Sequence, residues 1–207
     1  MLNPSTIYGP WDEGIVLDKH MSKSLFLGYN ENGKEKFENT RTEIGELIYR
    51  FKYKNDRSCL PKIVNMAVDI LNEWNLKEKV DIIIPVPPSN KTREYQPVFE
   101  ISKAIAEVLG KECKTDILSK KSSLQVKDGY NISGTIKQNK QLERKVNILI
   151  IDDLYSTGAT LSEVCKILKN DKNAGKIYCL VMTKTKGWVN WKFLLQDQEL
   201  LKIWIKV

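Results

Sequence analysis

Residues 148–161 read ILIIDDLYSTGATL. A continuous aliphatic run of this kind is what a strand buried on both faces requires, and the hydroxyl side chains and glycine after it mark a short loop opening into a helix. The stretch therefore predicts strand, turn and helix start in that order, with Asp152 and Asp153 at the carboxyl end of the strand. In open α/β sheets ligands bind at that edge. Backbone N–H groups from Tyr155 through Ser156, Thr157, Gly158, Ala159 and Thr160 can converge on one anion, helped by the positive end of the helix dipole and by the hydroxyls of Ser156, Thr157 and Thr160. Gly158 lets the backbone approach with no side chain in the way. The two carboxylates repel a phosphate but accept hydrogen bonds from hydroxyls and help to place a divalent cation. A ligand with a phosphate at one end and a diol beside it satisfies both halves of the motif, as a ribose 5-phosphate would. The plainer reading is an ordinary strand-to-helix turn in which the aspartates only cap the helix. Other phosphate motifs are missing: there is no GxxxxGK[ST], and no GxGxxG follows a strand.

Working outward, VDIIIPV (80–86) and KIYCLVMTK (176–184) are further apolar runs, and VNILIID (146–152) lies between them. Helices are predicted over Val98–Leu109, closed by Gly110, and over Ala159–Lys169. A short strand is expected near Thr115–Leu118. Strands alternating with helices of this length imply a parallel sheet of right-handed βαβ units, here beginning near residue 80. Upstream, Thr40 to Glu43 fits a capping box, and Ile44, Leu47, Ile48 and Phe51 follow at helical spacing to about Lys54. Ser58 is placed to cap a second helix whose apolar stripe runs from Ile63 to Trp74, which puts Trp74 in the core. Before these helices, Asn32-Gly33 between SLFLGY and EKFEN predicts a β hairpin.

The 207 residues are read as one domain, with a β-rich segment over 1–40, a core over 80–185 and an appendage over 186–207. No apolar run reaches the ~18–20 residues of a membrane span, and MLNPSTIYGPWDEG lacks the features of a signal peptide, so a cytoplasmic location is expected. Cys59, Cys113, Cys165 and Cys179 stand far apart with no CxxC pair, which disfavours zinc; Cys165 and Cys179 read as buried apolar residues. His20 is the sole histidine, so triad-type nucleophilic catalysis is disfavoured and a surface or hood position is expected for it. Net charge is +7. Residues 120–145 hold Lys120, Lys121, Lys127, Lys137, Lys140, Arg144 and Lys145 against Asp128 and Glu143, so most of the excess sits in one Ser- and Gly-rich excursion just before the DD strand. Such an excess admits nucleic acid as a partner, but no clear motif supports it. Trp11 and the Trp188/Trp191 pair lie in the terminal regions and are read as packing residues.

The aliphatic run, DD and STGAT resemble the phosphoribosyl pyrophosphate signature of type I phosphoribosyltransferases. Three more segments resemble the ComF-like branch of that family: IIPVPPSNKTREYQPV (83–98), ELIYRFKYKND (46–56) and YNISGTI (130–136). The chain departs from the branch in having no cysteine before Cys59, and in Pro88, Glu94 and Gln96.

The resemblance implies an α/β fold in which a central, mostly parallel sheet is flanked by helices, with a small hood built from N-terminal and C-terminal segments. It implies Mg2+-dependent transfer of ribose 5-phosphate from phosphoribosyl pyrophosphate to a nitrogenous-base acceptor. Tyr155, Ser156, Thr157, Gly158, Ala159 and Thr160 would hold the 5-phosphate, with Asp152 and Asp153 as the catalytic pair at the ribose hydroxyls. Mg2+ would be held mainly through the substrate, with those aspartates as its protein ligands. Pro87, Pro88, Ser89, Lys91 and Arg93 would line the pyrophosphate. Lys121, Gln125 and Lys127 would belong to a flexible lid. The Val86-Pro87 and Pro87-Pro88 bonds are candidates for a cis peptide. Dimers are common in that superfamily, which makes a homodimer one assembly open to the chain. The other reading carried by the same resemblance is a non-catalytic regulatory protein binding phosphoribosyl pyrophosphate or a nucleotide, linked to DNA uptake or nucleic-acid metabolism.

Overall fold

The computed structural model describes residues 2–89, 93, 95–120 and 134–185. In chain order the elements are β1 (Ser5–Thr6), β2 (Glu13–Lys19), β3 (Met21–Tyr29), β4 (Glu35–Arg41), α1 (Glu43–Tyr53), a 3-10 turn (Arg57–Cys59), α2 (Leu60–Glu73), β5 (Ile82–Pro85), α3 (Pro97–Leu109), β6 (Glu112–Cys113), β7 (Leu118–Lys120), β8 (Ile136–Gln138), β9 (Val146–Tyr155), α4 (Ala159–Lys169) and β10 (Ala174–Lys184). Six strands form the central sheet in the order β1-β2-β10-β9-β5-β6. All its pairings are parallel except that of β1 with β2.

Strand β9 shows why its apolar run has no polar gaps. Leu149 and Ile151 pack in the layer of α1, α2 and α3, with Phe51 and Ile101, while Ile148 and Ile150 pack with Leu161 and Val164 of α4. Each side chain buried this way contributes ~1.5–3 kcal/mol. The alternation of a strand carries past Ile151, so Asp152 continues the α4 row and Asp153 the row facing α1.

Several expectations are corrected. The sheet does not begin near residue 80. The GIVLD stretch lies in β2, which pairs in parallel with β10, Val16 opposite Val181, and its Ile15, Val16 and Leu17 are fully buried. A run so short, between turn formers, gives no sign of the partner far along the chain that buries it. The Asn32-Gly33 hairpin is present as β3 and β4, with Phe26 opposite Phe37. Helix α1 is capped by Thr42 rather than Thr40: its hydroxyl accepts from the Gly45 N–H at 3.1 Å and donates to the Lys19 carbonyl at 2.6 Å. Asp56, not Ser58, opens the next helical segment by accepting from the Ser58 N–H at 3.1 Å. Trp74 is 36% exposed, because α2 ends at Glu73 and Leu76 turns back to take the core position, its N–H 2.9 Å from the Leu71 carbonyl. The strand expected near Thr115–Leu118 is replaced by two short ones: β6 joins the sheet beside β5, and β7 pairs antiparallel with β8 in a separate ribbon. Both X-Pro bonds at 86–88 are trans. Trp11 packs as expected, buried, with its indole N–H donating to the Ile7 carbonyl at 2.9 Å. Trp188 and Trp191 lie outside the described residues.

Asp171 ties the turn between α4 and β10 to the approach to β9. Its buried carboxylate accepts from the Leu142 N–H (2.8 Å), the Asn173 N–H (3.0 Å) and Gln138 Nε2 (2.6 Å). Burial alone pushes this carboxyl up, but the three donors outweigh it and the net shift is downward. A carboxyl held below its unfolded value contributes stability that is present above that value and lost as pH falls through the folded one. Asp171→Asn is therefore expected to cost about 1–3 kcal/mol at neutral pH, with the difference shrinking below about pH 4. Urea unfolding at two pH values checks this, and a loss independent of pH would contradict it.

Candidate functional site

Three elements converge at the carboxyl edge of the sheet. At the end of β9 the Asp153 N–H donates to Asp152 Oδ1 at 2.8 Å. Asp153 also accepts at its carbonyl from Thr183 Oγ1 of β10, at 3.1 Å, and at Oδ2 from Lys52 Nζ of α1, at 2.5 Å. Burial foremost, then the adjacent Asp153 charge, pushes the Asp152 carboxyl up to about 7. Behind the pair, His20 Nδ1 lies 3.2 Å from Thr183 Oγ1. His20 is half-buried at the end of β2, and burial followed by the Arg41 and Lys52 charges lowers its pKa.

The second element is the turn from β9 to α4. Gly158 has φ +76°, and a Cβ there would meet the Tyr155 Oη at 2.6 Å and its ring at 2.9 and 3.0 Å. Tyr155 thus forms the floor under the glycine. The first turn of α4 has no side-chain cap, so its amides stay available to an anion. Thr157 Oγ1 is 3.4 Å from the Ala159 N–H, and Ser156 and Thr157 are exposed.

The third element is the turn after β5. Pro87, Pro88 and Ser89 line, with Arg93, Asp152, Asp153, Thr160 and Lys52, one cleft of about 290 Å³. Residues predicted from segments 65 positions apart are thereby brought together, including Thr160 from the phosphate turn. Lys91, Lys121, Gln125 and Lys127 lie outside the described residues.

One cation was not anticipated, and a second opens the basic segment already expected beside the pyrophosphate. Lys52 comes from the last turn of α1, and Lys120 of β7 donates to Ser89 Oγ at 2.9 Å. The KYKND turn carried the only signal for Lys52, since its partner Asp153 is 101 residues away. Helix α1 is held in place at both ends. A Cβ on Gly45 would come within 2.1 Å of the His20 carbonyl oxygen, a close approach that only glycine allows. At the other end Phe51 is buried, its carbonyl accepts from the Tyr95 hydroxyl, and the Arg93 guanidinium lies 5.6 Å from the Tyr53 ring centroid.

The basic segment does not all face the cleft. Lys140 and Arg144 line a groove with Ile82 and Val146, at the opposite ends of the strands. Acidic residues interleave there: Lys140 pairs with Asp116, and Lys114 with Glu112 at 2.5 Å. Among the described residues no group of three or more His, Cys, Asp or Glu is placed to hold a metal ion alone.

The family model "Phosphoribosyl transferase domain" matches residues 53–205. The chain is similar to the competence protein ComFC of Bacillus subtilis (strain 168), with 26% identity over 147 residues, covering 68% of this chain and 59% of the relative. It is also similar to the transcriptional regulator GfcR of Methanocaldococcus jannaschii, with 32% identity over 126 residues, covering 61% and 49%. The chain thus spans about half the length of these curated relatives. Similar solved structures include adenine phosphoribosyltransferase from Saccharomyces cerevisiae, at 14% identity, 75% and 81% coverage and a TM-score of 0.47. Orotate phosphoribosyltransferase from Aeropyrum pernix is similar at 11% identity, 83% and 82% coverage and a TM-score of 0.47.

Proposed function

Because the chain belongs to the phosphoribosyl transferase domain family, we propose that it is a Mg2+-dependent phosphoribosyltransferase that uses phosphoribosyl pyrophosphate and a nitrogenous-base acceptor. One observation carries the reading: Asp152 and Asp153, the proline turn with Arg93, and Thr160 of the uncapped α4 turn line the same cleft. In this reading Ser156 to Thr160 hold the 5-phosphate with backbone amides and hydroxyls. Asp152 and Asp153 accept hydrogen bonds from the ribose hydroxyls. Pro87, Pro88, Ser89, Lys91 and Arg93 line the pyrophosphate, where the guanidinium fork of Arg93 suits paired phosphate contacts. The anomeric carbon develops positive character, so the residues bind, orient and exclude water, and no protein nucleophile is required. The two carboxylates fit Mg2+, which is commonly held by one or two carboxylates together with substrate phosphates. When bound, it supplies charge neutralisation of the leaving pyrophosphate. In this reading Lys121, Gln125 and Lys127 are assigned to the leaving pyrophosphate. A cytoplasmic location accompanies this reading; among the described residues no helix is long and apolar enough to cross a membrane.

The likeness to a transcriptional regulator favours a second reading, in which phosphoribosyl pyrophosphate or a nucleotide is bound without turnover. Calorimetry tests what the two share: wild type binds phosphoribosyl pyrophosphate with Mg2+, and Thr157→Ala weakens it about tenfold. Absence of wild-type binding would sink both. Pyrophosphate release across purine, pyrimidine and pyridine acceptors then separates them, since silence with binding intact selects the regulatory reading.

A further inference from the structure

We infer that Lys52 is a positioning residue of this cleft: it holds the Asp153 carboxylate in the orientation and charge balance that ribose binding needs. The inference rests on the phosphoribosyl pyrophosphate reading above and adds to it a residue outside the DD and STGAT signature.

Three observations support it. Lys52 and Asp153 pair at 2.5 Å across two layers of the fold, with side chains 22% and 13% exposed, and both line the cleft. The backbone groups of Asp153 are also committed, its N–H to Asp152 Oδ1 and its carbonyl to Thr183 Oγ1. With Oδ2 held by Lys52, Oδ1 is the oxygen left to meet a hydroxyl in the cleft. Finally, the turn that carries Lys52 is fastened to the pyrophosphate side, through the Tyr95 hydroxyl on the Phe51 carbonyl and Arg93 against the Tyr53 ring. Lys52 therefore links the ribose end of the cleft to the segment bearing Arg93.

Charge explains why a lysine is placed there. Two adjacent carboxylates repel a ligand that carries a phosphate and a pyrophosphate, and the repulsion is strong where water is excluded. A cation on Asp153 cancels one of the two charges without blocking the hydroxyl-binding oxygen. As a stability device the pair is weak, since partly exposed ion pairs contribute little to folding. Its place in the cleft wall, rather than in the core, points to binding.

A double-mutant cycle decides the matter. Affinities for phosphoribosyl pyrophosphate and for ribose 5-phosphate, both with Mg2+, are measured by calorimetry for wild type, Lys52→Met, Lys52→Arg, Asp153→Asn and the Lys52→Met/Asp153→Asn double variant. Thermal unfolding of each reports whether it is folded. Lys52→Met is expected to weaken both ligands by the same factor, about tenfold, and Lys52→Arg to restore most of the loss. On the Asp153→Asn background, Lys52→Met should cost nothing further, because the carboxylate it orients is gone. Three results would overturn the inference: a folded Lys52→Met that binds like wild type, a loss confined to phosphoribosyl pyrophosphate, or losses that add in the double variant. If Lys52→Met does not fold, the Lys52→Arg and Asp153→Asn arms still decide, since Lys52→Arg must track wild type on both ligands. A wild type that binds neither ligand overturns the function reading itself.

Discussion

Gly158→Val is expected to abolish measurable binding of phosphoribosyl pyrophosphate, a loss of more than about a hundredfold, while the chain still folds. The backbone at Gly158 sits at φ +76°, a region that β-branched residues avoid. A side chain there also meets the Tyr155 hydroxyl and ring within 3.0 Å. Swinging the Tyr155 ring aside would relieve that contact but not the strain at φ +76°. The turn must therefore shift, and with it the amides at the start of α4. Each charge-assisted hydrogen bond to phosphate contributes about 1.5–3 kcal/mol, so losing two accounts for the expected loss. Gly158→Ala keeps the strain with less bulk and is expected to fall between. Calorimetry with near-UV circular dichroism checks both variants. A folded Gly158→Val with wild-type affinity would mean that the phosphate does not bind at this turn.

The contrast between Gly158 and Lys52 shows which parts of the site were legible in the sequence. The turn at 155–160 is one contiguous segment, and its strand, glycine, hydroxyls and helix start follow from local chemistry. The same holds for α3, α4, β9 and β10, whose periodicities identify them without reference to neighbours. Strand β2 was not legible as part of the sheet, because its burial depends on β10, some 160 residues later. Lys52 was not legible for the same reason: a lysine at the end of an amphipathic helix looks like a solvated charge until the fold sets Asp153 beside it. The caps at Thr42 and Asp56 and the exposed Trp74 are boundary effects of a residue or two, too small for periodicity to resolve. The lysine-rich segment misled through its sum. Its charges read as one feature, yet Lys140 and Arg144 sit at the far ends of the strands among acidic partners.

Asp152→Asn is expected to move stability and ligand binding in opposite directions. The Asp152 carboxyl is withdrawn from water beside a second carboxylate, which pushes it up to about 7 from 3.8. The folded state then holds its proton more tightly than the unfolded chain does. Stability contributed by that proton is full below the unfolded value, falls as pH rises between the two values, and is gone above the folded one. Asparagine has no such slope, and its side-chain oxygen can still accept from the Asp153 N–H. At pH 8 without ligand the variant is therefore expected to be more stable than wild type by on the order of 2 kcal/mol, and near pH 4 the gain should vanish. Binding moves the other way. A neutral amide is a weaker acceptor for a ribose hydroxyl and a weaker partner for Mg2+, so affinity for the Mg2+-phosphoribosyl pyrophosphate complex should fall by about ten- to a hundredfold. Urea unfolding at the two pH values and calorimetry on the same preparations check the pair of signs. A structural aspartate would lose stability on substitution and leave binding untouched. A binding carboxylate kept at the cost of stability shows the reverse, because the sheet edge that withdraws it from water is also what makes its hydrogen bonds to a ligand strong.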